Sequence, residues 1–410
     1  MKLTARFPAG PDVAVEDVLA SVLAPPLDGP LRVGDPRVVD FLTSFARRLL
    51  APAVARRYPE LASLGFFLRR GELTRALAGV ASTGDVLVFP RGLVFHVPPA
   101  NVDTIFVYSW ALSALAGNPN VVRVSARAAG AASAVLDALN DALADAHPAV
   151  AQTQRMVTYG RDDEITAALS AACDLRVIWG GDASVRAVRR APLAPWSRDV
   201  TFPDRSSFAA VSVPGWAALS PHARRTGVAG FANDSYWFDQ AACASPRTLF
   251  LIGGSLTEAA EVRADFVSLL VEEVASRGWP VDPAMAVEKR VATYGLAAAG
   301  LATRLEFSTN AVAMATLDPA AALPRTWLGA GTFPVATLDS LASLAPLLGR
   351  RDQTLSHLGF LPEDLHEFAR SLGGRAIDRI VPFGRALTFG AVWDGYDLLH
   401  EFTRRTTLTQ

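Results

Sequence analysis

The chain has 410 residues, half of them apolar and 19% charged, with a mean hydropathy of +0.24, which excludes a disordered or coiled-coil protein and supplies material for two packed domains. Basic and acidic residues nearly cancel, 39 against 40, so no global charge favours nucleic acid or an anionic membrane as partner. Lys occurs only at Lys2 and Lys289, so almost every cation is the guanidinium fork that suits phosphate and carboxylate, while two cysteines, Cys173 and Cys243, are too few for a disulfide scaffold, show no metal spacing and fit a reducing, cytoplasmic setting.

In chain order, MKLTARFPAGPDVAVEDV lacks the continuous apolar run of a secretory signal. The first 35 or so residues, rich in Pro and Gly, read as an arm with short extended pieces. From Pro36 to about Val80, apolar residues at three and four spacing (Val39, Phe41, Leu42, Phe45, Leu49) predict two or three amphipathic helices. DVLVFPRGLVFHVPP is a strand signal broken at Pro90-Arg91-Gly92 and closed by Pro98-Pro99. One alternation then repeats: helix Val102 to Ala116 and strand Val121 to Ser125, helix Ala131 to Ala146 and strand Arg155 to Gly160, helix Asp163 to Ala172 and strand Leu175 to Gly181. That is the requirement of a doubly wound parallel sheet and marks a nucleotide-binding half.

The proline-spaced stretch PLAPWSRDVTFPDRSS predicts a crossing into a second α/β unit. Strands are expected there at Ser207 to Val213, Arg247 to Gly254 and Thr303 to Ser308. Between the last two lies an amphipathic helix with Ser255 or Thr257 as N-cap and Glu258 in its first turn. RIVPFGRALTF and WDGYDLLHEFTRR predict one or two strands and a final helical turn. The expected organisation is 1–205 for the arm, helices and cofactor domain, 206–375 for a catalytic domain, and 376–410 for a C-terminal segment returning to the cofactor or oligomerisation region. The apolar stretch Asn101 to Gly117 is too short and too interrupted to span a membrane.

No G-x-G-x-x-G, P-loop, H-E-x-x-H or G-x-S-x-G motif is present, and six scattered histidines show no ligand spacing. His96 reads as a satisfied strand histidine. NDSYWFDQAACASPRTLFLIGG is the informative segment. Cys243 sits among Ala241, Ala242, Ala244 and Ser245 just before a strand, where small neighbours admit a substrate carbon and backbone N–H groups can serve an oxyanion. An isolated cysteine is more often a small buried hydrophobe, and Cys173, inside ALSAACDLRV, is assigned to that class. Asp239 and Gln240 are expected to shape the nucleophile loop. Arg247 opens the strand, pairing with a neighbouring acid or contacting a substrate carboxylate or phosphate.

Resemblance at several ordered places separates the two cysteines. DQAACASPR resembles the nucleophile loop of the aldehyde dehydrogenase superfamily. FHVPPANVDTIF, LSALAGNPNVVRVS and VIWGGDASVRAVRR resemble its Pro-Trp-Asn loop, its Ala-Gly-Asn helix end leading to the cofactor strand, and its Thr-Gly-Ser turn. PRGLVFHVPPANV, FPDRSS, WFDQAACASP and RIVPFGRALTF with WDGYDLL are similar to the LuxC-type acyl-CoA reductases, from about Pro90 to Arg404. The fold implied is α/β and aldehyde dehydrogenase-like: a Rossmann-type cofactor domain, an α/β catalytic domain and small C-terminal or oligomerisation elements.

The resemblance implies that Cys243 takes the acyl group and that the Asn101 amide completes an oxyanion hole with the Cys243 N–H; as a plain helix N-cap, Asn101 would serve the fold alone. Arg123 replaces the family's cofactor-strand lysine, and Gly180 and Gly181 match the turn where the pyrophosphate meets a helix N-terminus. The position where NAD-preferring members carry Glu is Ala126, with Ser125 and Arg127 beside it, so a 2′-phosphate meets a hydroxyl and cations; NADPH is the expected cofactor. Ser206 to Pro214, matched to the stretch that carries the water-activating glutamate of hydrolytic relatives, has no acid, which favours hydride transfer over hydrolysis.

The expected activity is reduction of an acyl thioester, CoA-bound or carried by an acyl carrier protein, to an aldehyde. The expected assembly is a dimer or tetramer, and an acyltransferase or synthetase partner is compatible with it; no nucleic acid, membrane span or metal is expected. An oxidative aldehyde dehydrogenase and a non-catalytic acyl-carrying or scaffold subunit are the alternatives.

Overall fold

A computed structural model of the protein describes residues 1–99, 105–126, 130–319 and 322–409. The chain divides into two units, Met1–Pro203 with Phe389–Gln410, and Asp204–Thr388.

The first unit contains β1 (Lys2–Phe7), β2 (Ala9–Ala14), β3 (Val86–Pro90), β4 (Val94–Val97), β5 (Asn120–Arg123), β6 (Gln154–Thr158), β7 (Leu175–Trp179) and β8 (Arg198–Phe202). Seven of these form one sheet in the order β2-β1-β6-β5-β4-β7-β8. The five strands from β6 to β8 run parallel, as their helical crossovers require. β4 is buried along its whole length, which explains a strand with no polar face. The N-terminal stretch departs from the expected arm: β1 and β2 form an antiparallel pair, β1 also pairs with β6, and Val15–Leu23 is a helix. Prolines and glycines had obscured the alternation that buries Leu3 and Phe7.

His96 is satisfied inside the sheet, as its position suggested. Its Nδ1 and Nε2 lie 2.9 Å from Ser109 Oγ and Asn120 Oδ1, and burial pushes its pKa down to about 4. The Asn120 amide passes the network to Gln154 Oε1, which also accepts from Trp110 Nε1. With its polar atoms paired, such a network fixes strand register at little desolvation penalty.

The second unit contains β9 (Ser206–Ser212), β10 (Pro246–Ile252), β11 (Ala302–Phe307), β12 (Ala313–Leu317), β13 (Thr332–Leu338), β14 (Asp352–Leu358) and β15 (Arg379–Pro382), ordered β11-β12-β13-β10-β9-β14-β15. All run parallel except β11. The helix Leu256–Arg277 opens with the capping box expected at Ser255 and Glu258. It buries Ala259, Val262, Phe266, Leu270 and Val274, one stripe at helical spacing, in a core shared with Leu249 and Leu251.

The chain then returns to the first unit with β16 (Val392–Trp393), β17 (Tyr396–Asp397) and β18 (Thr403–Thr407), the last pairing antiparallel with β3. The strands on either side of Pro90-Arg91-Gly92 therefore enter different sheets. Gly92 permits this: its φ is +126°, and a Cβ there would meet Asp174 Oδ2 at 2.0 Å. That carboxylate accepts the next N–H, from Leu93, at 2.9 Å.

Candidate active site

Cys243 lies in the turn between the helix Pro221–Tyr236 and β10, at the N-terminal edge of the second sheet. The approach is an unusual backbone, with Asp239 at φ 49° and Gln240 at φ 60°. Left-handed non-glycine residues cost on the order of 1–3 kcal/mol each and persist where surroundings fix them. Here Gln240 does the fixing. Its buried amide donates from Nε2 to Pro246 O at 2.8 Å and accepts at Oε1 from Gly331 N at 3.0 Å, while Trp327 Nε1 donates to Asp239 O at 2.8 Å. Both residues thus shape the loop that carries Cys243.

Among the described residues, two side chains hydrogen-bond to the cysteine and a guanidinium lies within electrostatic reach of it. Ser207 Oγ on β9 donates to Cys243 O at 2.7 Å, and Gln353 Nε2 on β14 donates to Cys243 Sγ at 3.5 Å. Arg247, two residues into β10, is near enough to feel charge on Cys243. Burial pushes this guanidinium below its ordinary pKa, and Asp204 and Cys243 pull it the other way. Its Nη1 donates to Arg325 O at 2.9 Å, a backbone contact in place of the expected acid partner. Arg325 in turn grips the fully buried Asp352 carboxylate with two bonds of 2.8 Å. β9 carries no acidic residue; the acid just before it, Asp204, is exposed.

Cys173 ends the helix Asp163–Ala172 as its C-cap. It is 1% exposed, donates its thiol to Ser170 O at 3.3 Å, and burial pushes its pKa up to about 12. Such a thiol is inert at neutral pH because the thiolate is the reactive form. Iodoacetamide at neutral pH is therefore expected to give a single adduct on the folded protein, mapping to Cys243. Peptide mass spectrometry checks this, and labelling of Cys173 in folded protein would contradict it.

The other predicted residues belong to the first unit. From β4 the chain runs outward through β5 and β6, then returns past β4 to β7 and β8, so the strand order reverses beside β4. Open α/β sheets bind ligands outside the carboxyl ends of strands at such a point. Arg123 is the last residue of β5, with its Nη2 donating to Gly160 O at 3.0 Å and its guanidinium 4.6 Å from the Tyr159 ring centre. Ser125 follows, half-buried. Gly180, at φ +149°, leaves β7, and Gly181 is the N-cap of the helix Asp182–Arg189, where no side chain caps the first turn.

A Cβ on Gly181 would meet nothing within 4 Å, so backbone can be approached closely there. An uncapped helix start and open glycine backbone after β7, with a cation at the end of β5 one strand beyond β4, suit a phosphate-bearing nucleotide; Asp182 in the first turn works against it. Asn101 and Arg127 lie outside the described residues. Among the described residues no three acidic, histidine or cysteine side chains cluster to hold a metal, and no helix is long and apolar enough to cross a membrane.

Sequence reasoning missed Ser207, Gln353 and the Arg325–Asp352 pair. Ser207 closes the segment FPDRSS, whose resemblance gave it no role, and no local pattern marks Gln353, which lies 110 residues from Cys243 and meets it only through the order of the strands.

The family described as acyl-CoA reductase (LuxC) matches residues 85–405. No curated protein gives a significant sequence match. Among solved structures, the NAD-dependent aldehyde dehydrogenase of Sinorhizobium meliloti is 13% identical, with 96% of this chain and 86% of that one covered and a TM-score of 0.69. The Mycobacterium tuberculosis aldehyde dehydrogenase complexed with NAD+ is 14% identical, with 97% and 91% covered and a TM-score of 0.65. Aldehyde dehydrogenase 21 of Physcomitrella patens, complexed with the reaction product succinate, is 10% identical, with 100% and 94% covered and a TM-score of 0.65. At these identities the likeness shows the fold, which is that of the aldehyde dehydrogenases.

Proposed function

Since the chain belongs to the acyl-CoA reductase (LuxC) family, matched over most of its length, we propose that it reduces an acyl thioester to an aldehyde with NADPH through an acyl-enzyme on Cys243. The family and the fold support acyl reduction and a nicotinamide cofactor; the thioester donor, NADPH and the residue roles are the finer content of the proposal. One observation carries it: the half-buried Cys243 has a hydrogen-bond donor on its sulfur and a cation nearby, whereas the other cysteine is sealed in the core.

Cys243 gives up its proton to solvent, and its thiolate attacks the thioester carbonyl, forming a new C–S bond. Asn101 and the Cys243 N–H hold the oxyanion, whose collapse expels the CoA or carrier thiolate. A bound NADPH supplies the hydride that converts the acyl carbon to the aldehyde level. The Cys243 C–S bond then breaks, releasing the aldehyde and returning the thiolate. With no acid on β9, the thioester has no neighbouring base on that strand to activate water, and it survives until the hydride arrives. Arg123 and Ser125 would hold the ribose end of the cofactor and Gly180 and Gly181 its pyrophosphate. Ala126, at the end of the same segment, presents no carboxylate to repel a 2′-phosphate. In this reading the donor is an acyl-CoA or acyl carrier protein, and the protein works as a homo-oligomer.

The test is intact-mass analysis of the enzyme incubated with acyl-CoAs or acyl carrier proteins and then with reduced cofactor. A single acyl adduct on Cys243, discharged by NADPH at least about tenfold faster than by NADH, is expected, since one lost phosphate contact of this kind is worth roughly 1.5–3 kcal/mol. Adduct that persists with both cofactors would favour an acyl-carrying subunit, and faster discharge by NADH would overturn the cofactor assignment.

A further inference from the structure

The sulfur of Cys243 meets a side chain that the proposed chemistry has not yet used. Gln353 is the second residue of β14 and is wholly buried. Its Oε1 lies 3.4 Å from Thr354 Oγ1 and 3.5 Å from Ser207 Oγ, and its Nε2 lies 3.5 Å from Cys243 Sγ. The NH2 end of the amide faces the sulfur. Ser207 has one hydroxyl proton and directs it to Cys243 O at 2.7 Å, while accepting the Thr354 N–H at 3.1 Å. Thr354 Oγ1 can donate to Oε1 at 3.4 Å, which matches an NH2 end turned to Cys243. The flipped amide would instead aim an oxygen lone pair at the sulfur.

Three adjacent strands thus converge on one residue. β10 carries the cysteine on the turn before it, β9 pins its carbonyl through Ser207, and β14 contacts its sulfur through Gln353. A neutral amide cannot take the thiol proton. Its N–H can stabilise negative charge on sulfur, because a hydrogen bond to the charged form favours that form and counts for more away from water.

Among the described residues, the charged groups on the elements that meet here are Arg247 on β10, Asp204 near Arg247, Asp239 on the loop before Cys243, the Arg325–Asp352 pair and the Arg205–Asp378 pair. The last two pairs are internally neutralised. Arg247 supplies long-range attraction, and Gln353 supplies the directed contact.

We infer that Gln353 holds Cys243 as a thiolate in the resting enzyme, donating Nε2–H to Sγ and aiming the sulfur before the acyl group arrives. The inference rests on the reading of Cys243 as the nucleophile.

The experiment is the rate of iodoacetamide alkylation of Cys243 across pH, without acyl donor or cofactor, in full-length protein carrying Cys173→Ala so that one thiol reports. In the parent protein the midpoint should lie below the ~8.5 of an ordinary thiol. Gln353→Met keeps the bulk and removes the donor, and is expected to raise the midpoint by about one unit or more while the high-pH plateau stays within about twofold. At neutral pH that is roughly a three- to fivefold loss of alkylation and of acylation by acyl-CoA for a one-unit rise from a midpoint near 7, recovered as pH rises. Gln353→Glu should raise it further, by placing a like charge beside the sulfur. Gln353→Asn, one methylene shorter, should fall between the parent and Met.

An ordinary or elevated midpoint in the parent protein overturns the inference whether or not any variant folds. An unchanged midpoint in a Gln353→Met protein that melts like the parent does the same. Either result, with Cys243→Ala inactive, leaves the nucleophile reading standing; an active Cys243→Ala protein would instead remove that reading.

Discussion

Cys243→Ala is expected to abolish aldehyde formation, lowering turnover by at least about 10⁴-fold, because every later step runs through the sulfur–acyl bond. Removing the nucleophile of a covalent hydrolase leaves only what binding and oxyanion stabilisation supply, and losses near 10⁶ in kcat are known for such deletions. Here alanine fits the site easily, since the neighbouring positions are already Ala242 and Ala244, both buried. The loss should therefore appear without a matching loss of stability. Cys173→Ala makes the control. Its thiol is 1% exposed and contacts only backbone among its resolved hydrogen bonds, so the change should lower stability by about 1 kcal/mol and leave turnover within about twofold. Oxidation of the reduced cofactor and aldehyde release, measured on both variants, decide the matter. Retained activity in Cys243→Ala would sink the acyl-enzyme mechanism.

The alternation of helix and strand from β4 to β7 was legible in the sequence because each element there is local and carries its own apolar run or stripe. The helix Asp163–Ala172 coincides with its predicted span. β14 escaped notice for the opposite reason. Asp352, Gln353, Thr354 and Ser356 are all at least 99% buried, so a strand lodged in the middle of a sheet carries a polar string that periodicity assigns to a surface. Those polar residues serve the site. Asp352 anchors Arg325, whose carbonyl receives Arg247, and Gln353 reaches Cys243. The cysteine itself was found through ordered motifs, which report the chain's descent. Its partners on β9 and β14 come from strand adjacency, which no single stretch of sequence encodes.

Asn101 is the remaining residue on which the proposed chemistry depends, and substitution can separate its two readings. As the oxyanion donor its side-chain amide would contribute about 3–4 kcal/mol to the transition state, so Asn101→Ala should lower kcat roughly a hundredfold or more with little change in KM. In a plain helix N-cap, the same substitution would cost about 0.5–2 kcal/mol of stability and leave kcat nearly intact. Asn101→Asp discriminates. Aspartate caps a helix start as well as asparagine, yet it offers no N–H and adds a negative charge where the oxyanion forms. The proposed role predicts an Asp variant that melts like the parent protein and loses at least as much activity as Asn101→Ala, with acylation by acyl-CoA slowed in single-turnover mass measurements. An Asp variant within a few-fold of parent activity, beside a destabilised Ala variant, would assign Asn101 to the fold and leave the oxyanion to the Cys243 backbone alone.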